Sequence, residues 1–159
     1  MNVAKRPAGE QLRQNELKWG KKLMRAGFTV VPSVILDRQD ALGLDAVDVN
    51  IILHLACRWW YVDNPPFPSK KSIARAMGIH PRTVQRRIAA LENQGFIERE
   101  KRFGADRRQE SNRYILKKLI EAATPFAEEE IQNREKEREA RANRKGRKKP
   151  RLHVVPGVK

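Results

Sequence analysis

SKKSIARAMGIHPRTVQRRIAALENQGFIERE, residues 69–100, decides the fold of this chain. Ser69 stands where a helix start needs a side-chain acceptor for an unpaired amide. Ile73, Ala74 and Met77 then fall on one helical face. Gly78 supplies the left-handed backbone that closes a helix at low steric cost, and Ile79 is placed to pack back onto it. Pro81 suits the first position of a second helix, where its missing amide costs nothing. Val84, Ile88 and Leu91 repeat at i, i+4, i+7, the spacing of a buried stripe. Arg82, Thr83, Gln85 and Arg86 take the opposite face, with Arg87 at its edge. A small residue at Ala74, a turn glycine at Gly78 and a core valine at Val84 make this a helix-turn-helix.

The chain downstream extends the pattern. Gly95 ends the second helix, and residues 96–102 read as a strand. Residues 104–110 form a polar, arginine-containing turn. Residues 111–116 alternate, with Tyr114 and Leu116 on one face. The two strands predict a β-hairpin wing. TVQRRIAALENQGFI, residues 83–97, resembles the winged-helix regulators of the MarR and GntR types, in which a TVxRxIxxLExxGxI stretch passes straight into the wing. Residues 27–88 (GFTVVPSVILDRQD to HPRTVQRRI) are similar to winged-helix domains of bacteria, phages and plasmids. Those domains occur alone as regulators or as N-terminal modules of replication proteins. The resemblance covers residues 27–120 and implies a mainly α fold with a small β-hairpin wing, in a bacterial or phage-borne protein. It specifies fold far more than biological role.

Composition agrees. The chain has 159 residues and a formal net charge of +15. Such a field favours an anionic polymer or surface. The cations of the motif region are mostly arginine (Arg75, Arg82, Arg86, Arg87, Arg99, Arg102, Arg107, Arg108, Arg113), whose planar fork suits phosphate and guanine edges. Cys57 is the single cysteine, so no intramolecular disulfide forms. MNVAKRPAGEQLRQNELKWG lacks the apolar stretch of a signal peptide, and His54, Arg58 and Asp63 interrupt the longest apolar run. A cytoplasmic protein is expected, with no membrane role.

The organisation reads in three parts: a basic arm and amphipathic helix over 1–26, a winged helix-turn-helix domain over 27–123, and a charged helix with a basic tail over 124–159. Leu12, Trp19 and Leu23 predict a helix over 10–26, stopped by Gly27, whose stripe packs on the domain or on a second subunit. Residues 28–31 are expected as a strand joining the wing sheet, by resemblance. Ser33 is expected to cap a helix reaching Leu42, and Asp45 to cap the next, over 46–61, which is apolar nearly all round. NPPFP, residues 64–68, is a rigid break. A short helix over 117–123 is followed, from Thr124 and Pro125, by a charged stretch with pairs such as Glu130–Arg134. That stretch is either a solvated helix or a segment that orders on binding. A disordered arm is expected beyond Gly146.

Arg82, Thr83, Gln85 and Arg86 are the base-reading candidates, because residues near the start of such a helix lie deepest in the major groove. The competing reading is a solvated helix face. Lys70, Lys71, Ser72, Arg87, Arg107, Arg108 and Arg113 are candidate phosphate contacts, on the first helix of the motif, the edge of the second and the wing. His54 and Cys57 stand three apart on one helix, but a zinc site needs further ligands. His80 and His153 lie in the turn and the tail, so His54 and Cys57 read as core and no metal is expected. Trp59, Trp60 and Tyr61 are consecutive, so a helix points them to different sides and they read as packing residues. No glycine-rich phosphate loop, CxxC pair or nucleophile motif occurs, so neither catalysis nor a cofactor is expected.

These residues predict a sequence-specific double-stranded DNA-binding protein, a regulator of transcription. Replication or partition of a plasmid or phage, with a protein partner on the C-terminal tail, is the first alternative. A protein-binding adaptor is the second, and RNA binding is the weakest. A homodimer is left open, since one short helix reads few base pairs.

Overall fold

The computed structural model describes residues 8–105 and 107–146. The expected basic start and the arm beyond Gly146, with His153, lie outside the described residues. The core is built on α4 (Ala46–Ala56), whose Ile51, Ile52 and Leu55 are buried. Asp45 starts it with a reciprocal cap: its Oδ1 accepts from the amides of Val47 and Asp48, and Asp48 Oδ2 accepts from the amide of Asp45. α5 (Lys70–Met77) and α6 (Pro81–Asn93) pack on this spine through Ile73 and Ala74, and through Val84, Ile88 and Leu91.

β1 (Glu98–Glu100) and β2 (Arg113–Ile115) follow as an antiparallel pair, with Arg99 opposite Tyr114 and Glu100 opposite Arg113. The hairpin continues beyond them through a Phe103–Gln109 bridge. Ile97, Tyr114 and Leu116 close the core from this side, as the alternation predicts. α7 (Lys117–Gly146) packs its first turns on the core through Leu119 and Ala123.

Several expectations are corrected. The predicted helix over 10–26 is two, α1 (Ala8–Trp19) and α2 (Lys21–Ala26), broken at Gly20. Gly20 has φ 84 and ψ 144, a conformation open to glycine and strained for other residues. Leu12, Trp19 and Leu23 are exposed and do not pack on the domain. Residues 28–31 form no strand. The amide of Tyr114 donates instead to the carbonyl of Pro66, so the NPPFP segment lies beside β2 where that strand was expected. Ser33 has helical dihedrals and makes no side-chain cap, and α3 (Val34–Asp37) is a single turn followed by turns up to Gly43.

α4 ends at Ala56 rather than Tyr61. Arg58 donates through Nη1 to the carbonyl of His54 at 2.9 Å, satisfying a last-turn acceptor, while Arg58 and Trp59 amides turn back to the carbonyls of Leu55 and Ala56. α7, by contrast, does not stop at Pro125. Residues on both sides of the proline pack on the core (Leu119 and Ala123 before it, Phe126 and Ala127 after), and Arg38 reaches Glu129 and Glu130. That packing outweighs the roughly 3 kcal/mol an interior proline costs.

Candidate nucleic-acid interface

The motif turn sets the angle between α5 and α6. Ser69 Oγ accepts from the amide of Ser72 at 3.0 Å and starts α5. Gly78, at φ 66 and ψ 28, ends it, and the amide of Ile79 returns to the carbonyl of Ala74 at 3.1 Å. His80 then caps α6 through Nδ1, which accepts from the amide of Arg82 at 3.1 Å, and Pro81 takes the first position. The cap is an acceptor only while that imidazole nitrogen is unprotonated.

With Val84, Ile88 and Leu91 fully buried, the helical repeat turns Arg82, Gln85 and Arg86 outward, and all three are exposed. They stand at i, i+3 and i+4, one row a single turn long. Thr83 is half-buried at its edge. Lys71 is exposed and Lys70 half-buried at the start of α5. Ser72 uses its hydroxyl proton locally, donating to the carbonyl of Ser69 at 2.8 Å, which leaves only its lone pairs for another group.

Arg87 differs from the other cations of α6. It is half-buried, lies 2.5 Å from Asp45 Oδ2 and 3.7 Å from Asp48 Oδ2, and so faces α4. Asp48 is buried, and burial raises its pKa from the ordinary aspartate value. Asp45 was legible as a cap, but no local pattern signals this three-residue network.

In the wing, Arg107 and Arg113 are exposed. Arg107 has φ 59, a left-handed conformation uncommon outside glycine and asparagine. The Arg107 amide donates to the carbonyl of Gly104, and that of Gly104 to the carbonyl of Arg108, which ties the tip. At the wing root Arg102 pairs with Glu110 at 2.8 Å and lies 3.9 Å above the Phe67 ring. Arg99 is ion-paired to Glu92, joining β1 to the end of α6.

Among the described residues no group of three or more His, Cys, Asp or Glu side chains could hold a metal ion. His54 is half-buried, but Cys57 is exposed rather than core. Trp59 packs against the core, whereas Trp60 and Tyr61 are exposed, because the helix ends before them. No helix of the described residues is long and apolar enough to cross a membrane.

Residues 42–97 match the family described as helix-turn-helix domain. The N-terminal domain of the DnaD protein from Geobacillus kaustophilus HTA426 is similar in structure, with a TM-score of 0.51 at 17% identity over 77% of this chain and 96% of that one. The transcriptional regulator PA3341 superposes at a TM-score of 0.39, with 23% identity over 87% of this chain and 98% of its own. No curated protein sequence matches the chain. Residues 42–97 thus match the helix-turn-helix domain family, and the antiparallel hairpin after them gives this part of the chain a winged helix-turn-helix fold.

Proposed function

We propose that the chain is a non-enzymatic, sequence-specific double-stranded DNA-binding protein that regulates transcription of a mobile element or its host. The observation that carries this reading is the outward row Arg82, Gln85 and Arg86 on a helix whose inner face is wholly buried. Arginine reads guanine and glutamine reads adenine through paired hydrogen bonds in the major groove. Lys70 and Lys71 on α5, with Arg107, Arg108 and Arg113 in the wing, add charge suited to phosphate. The net charge of +15 predicts affinity that falls steeply with salt.

Selection from random duplex DNA, with the enriched pool rebound at rising salt, tests the reading. One converged motif is the expected result. Binding without enrichment that vanishes as salt rises would replace it with a basic protein that does not read sequence. A second reading, recruitment of a protein by the C-terminal part, draws support from α7, which is exposed from Ile131 to Arg144. Truncation before Glu128 should leave DNA occupancy intact and abolish any such recruitment.

A further inference from the structure

The wing hairpin, residues 98–115, holds two aromatic side chains with opposite surroundings. Tyr114 is 2% exposed in the core, whereas Phe103 is 61% exposed and lies outside the packed cluster. The segment around Phe103, KRFGADRR over residues 101–108, carries four cations and one acid and no other large apolar group. A phenyl ring left mostly in water adds little to the fold. We infer that Phe103 is a wedge that enters a base step of duplex DNA beside the bases met by α6, an inference that rests on the DNA-binding reading above.

A wedge works against base stacking, so its mount must be stiff. The backbone of Phe103 is bridged to Gln109, and the amides of Gly104 and Arg107 close the tip on the carbonyls of Arg108 and Gly104, each at 2.9 Å. The neighbouring Arg102 lies 3.9 Å above the Phe67 ring and pairs with Glu110 at 2.8 Å. Successive side chains of a strand point to opposite faces, which turns Phe103 away from that contact. Glu100 pairs with Arg113 and Phe103 with Gln109, so two intervening residues on one strand face three on the other. The hairpin therefore carries a bulge, a device that twists a strand pair and re-aims its side chains. At the other end, the Arg99–Glu92 ion pair ties the hairpin to α6.

Charge and shape select the occupant. Lys101 and Arg107 are exposed beside the ring and attract an anionic backbone. The phenyl itself bonds neither phosphate nor base edges and gains only by leaving water. A basic tip bearing one apolar ring suits the minor groove, where such side chains push between base pairs and kink the duplex. A lipid surface is matched instead by a broad apolar face. Unstacking is easiest at pyrimidine–purine steps, so the wing selects sequence through deformability, at a position that no side chain needs to hydrogen-bond. Specificity then has two sources, with α6 reading base edges and Phe103 reading stiffness.

Selection from random duplex DNA, run in parallel with the full chain and with Phe103→Ala, tests this. Both pools should share the bases set by α6, and only the parent's should add a pyrimidine–purine step at a fixed distance from them. On the parent's site, Förster transfer between end labels should report a kink of roughly 20–90°. A 2-aminopurine placed in the step should brighten as it unstacks. Phe103→Ala should lose the kink and the brightening and bind about tenfold more weakly, the scale of one apolar ring left in water. Phe103→Leu keeps an apolar wedge and should retain most of the kink. Phe103 is exposed, so the urea midpoints of both variants should match the parent's. An alanine variant that still kinks the site and keeps the step overturns the inference. So does one that loses affinity equally on every sequence with the kink unchanged. A parent pool with a shared motif and no kink overturns it and leaves the DNA-binding reading standing. A parent pool with no motif removes that reading as well.

Discussion

Nη2 of Arg87 lies 2.5 Å from Oδ2 of Asp45, so α6 is bonded to the residue that caps α4. Asp48, buried beneath them, faces the same guanidinium. Removing Arg87 leaves that carboxylate without its cation. Arg87→Ala should therefore lower stability by about 1–3 kcal/mol in urea unfolding, with Arg87→Lys in between, because lysine keeps the charge and loses the fork. The salt slope of DNA binding should stay unchanged in Arg87→Ala. A slope smaller by about one would return Arg87 to the phosphate contacts expected from sequence.

The same cluster sets an acid response. Hydrogen bonding to its own helix amides, that of Asp48 first, holds the Asp45 carboxyl below its usual pKa. The hydrogen bond from Arg99 does the same for Glu92. Each binds fewer protons folded than unfolded, so its contribution is present above the ordinary carboxylate pKa and is lost as pH falls through the lowered one. Asp48 has the opposite sign: burial raises its pKa, so its contribution is present at low pH and lost as pH rises through the raised value. Urea midpoints measured between about pH 3 and pH 6 should fall on the acid side, and Asp45→Asn and Glu92→Gln should each flatten that fall.

Arg82 and Arg86 stand one turn apart on the exposed face of α6. Replacing either with alanine should cost about 1–3 kcal/mol of binding to the selected site and relax the preference at one base position. Stability should change little, since neither side chain packs or pairs within the described residues. Binding curves on single-base variants of the site separate this from a uniform loss, which would mark a phosphate contact.

Arg107 holds φ 59 at the wing tip. Glycine adopts that conformation freely, so Arg107→Gly should leave stability equal or raise it by about 0.5–1 kcal/mol. DNA affinity should nevertheless fall, with a shallower salt dependence. A variant that binds DNA as tightly as the parent at low salt would remove the wing tip from the interface.

The sequence was most legible where local chemistry and burial agree. Ser69, Gly78, Pro81 and the Val84–Ile88–Leu91 stripe fixed two helices and the turn between them, and the structure has each in its expected place. Legibility failed where a neighbour decided the outcome. Pro125 signals a helix end, yet packing of Ala123 and Phe126 carries the helix through it. Trp59, Trp60 and Tyr61 continue an apolar run, yet the Arg58 guanidinium takes the carbonyl of His54 and the helix stops. Residues 28–31 have strand composition, but Pro66 already occupies the backbone donor they would have needed. Of the candidate site, the exposed face of α6 followed from periodicity alone. The pairing of Arg87 with Asp45 joins residues 42 positions apart, and no local pattern encodes it.

The hydrogen bond from the Tyr114 amide to the Pro66 carbonyl is a latch between two parts of the chain that meet nowhere in sequence. Three residues after Pro66, Ser69 starts α5, and Tyr114 is the middle residue of β2. A force applied at the wing therefore reaches the helix-turn-helix through a rigid proline segment of almost no slack. Wing and α6 are thereby held at one fixed angle, and any compliance in an encounter must come from the surface that receives them.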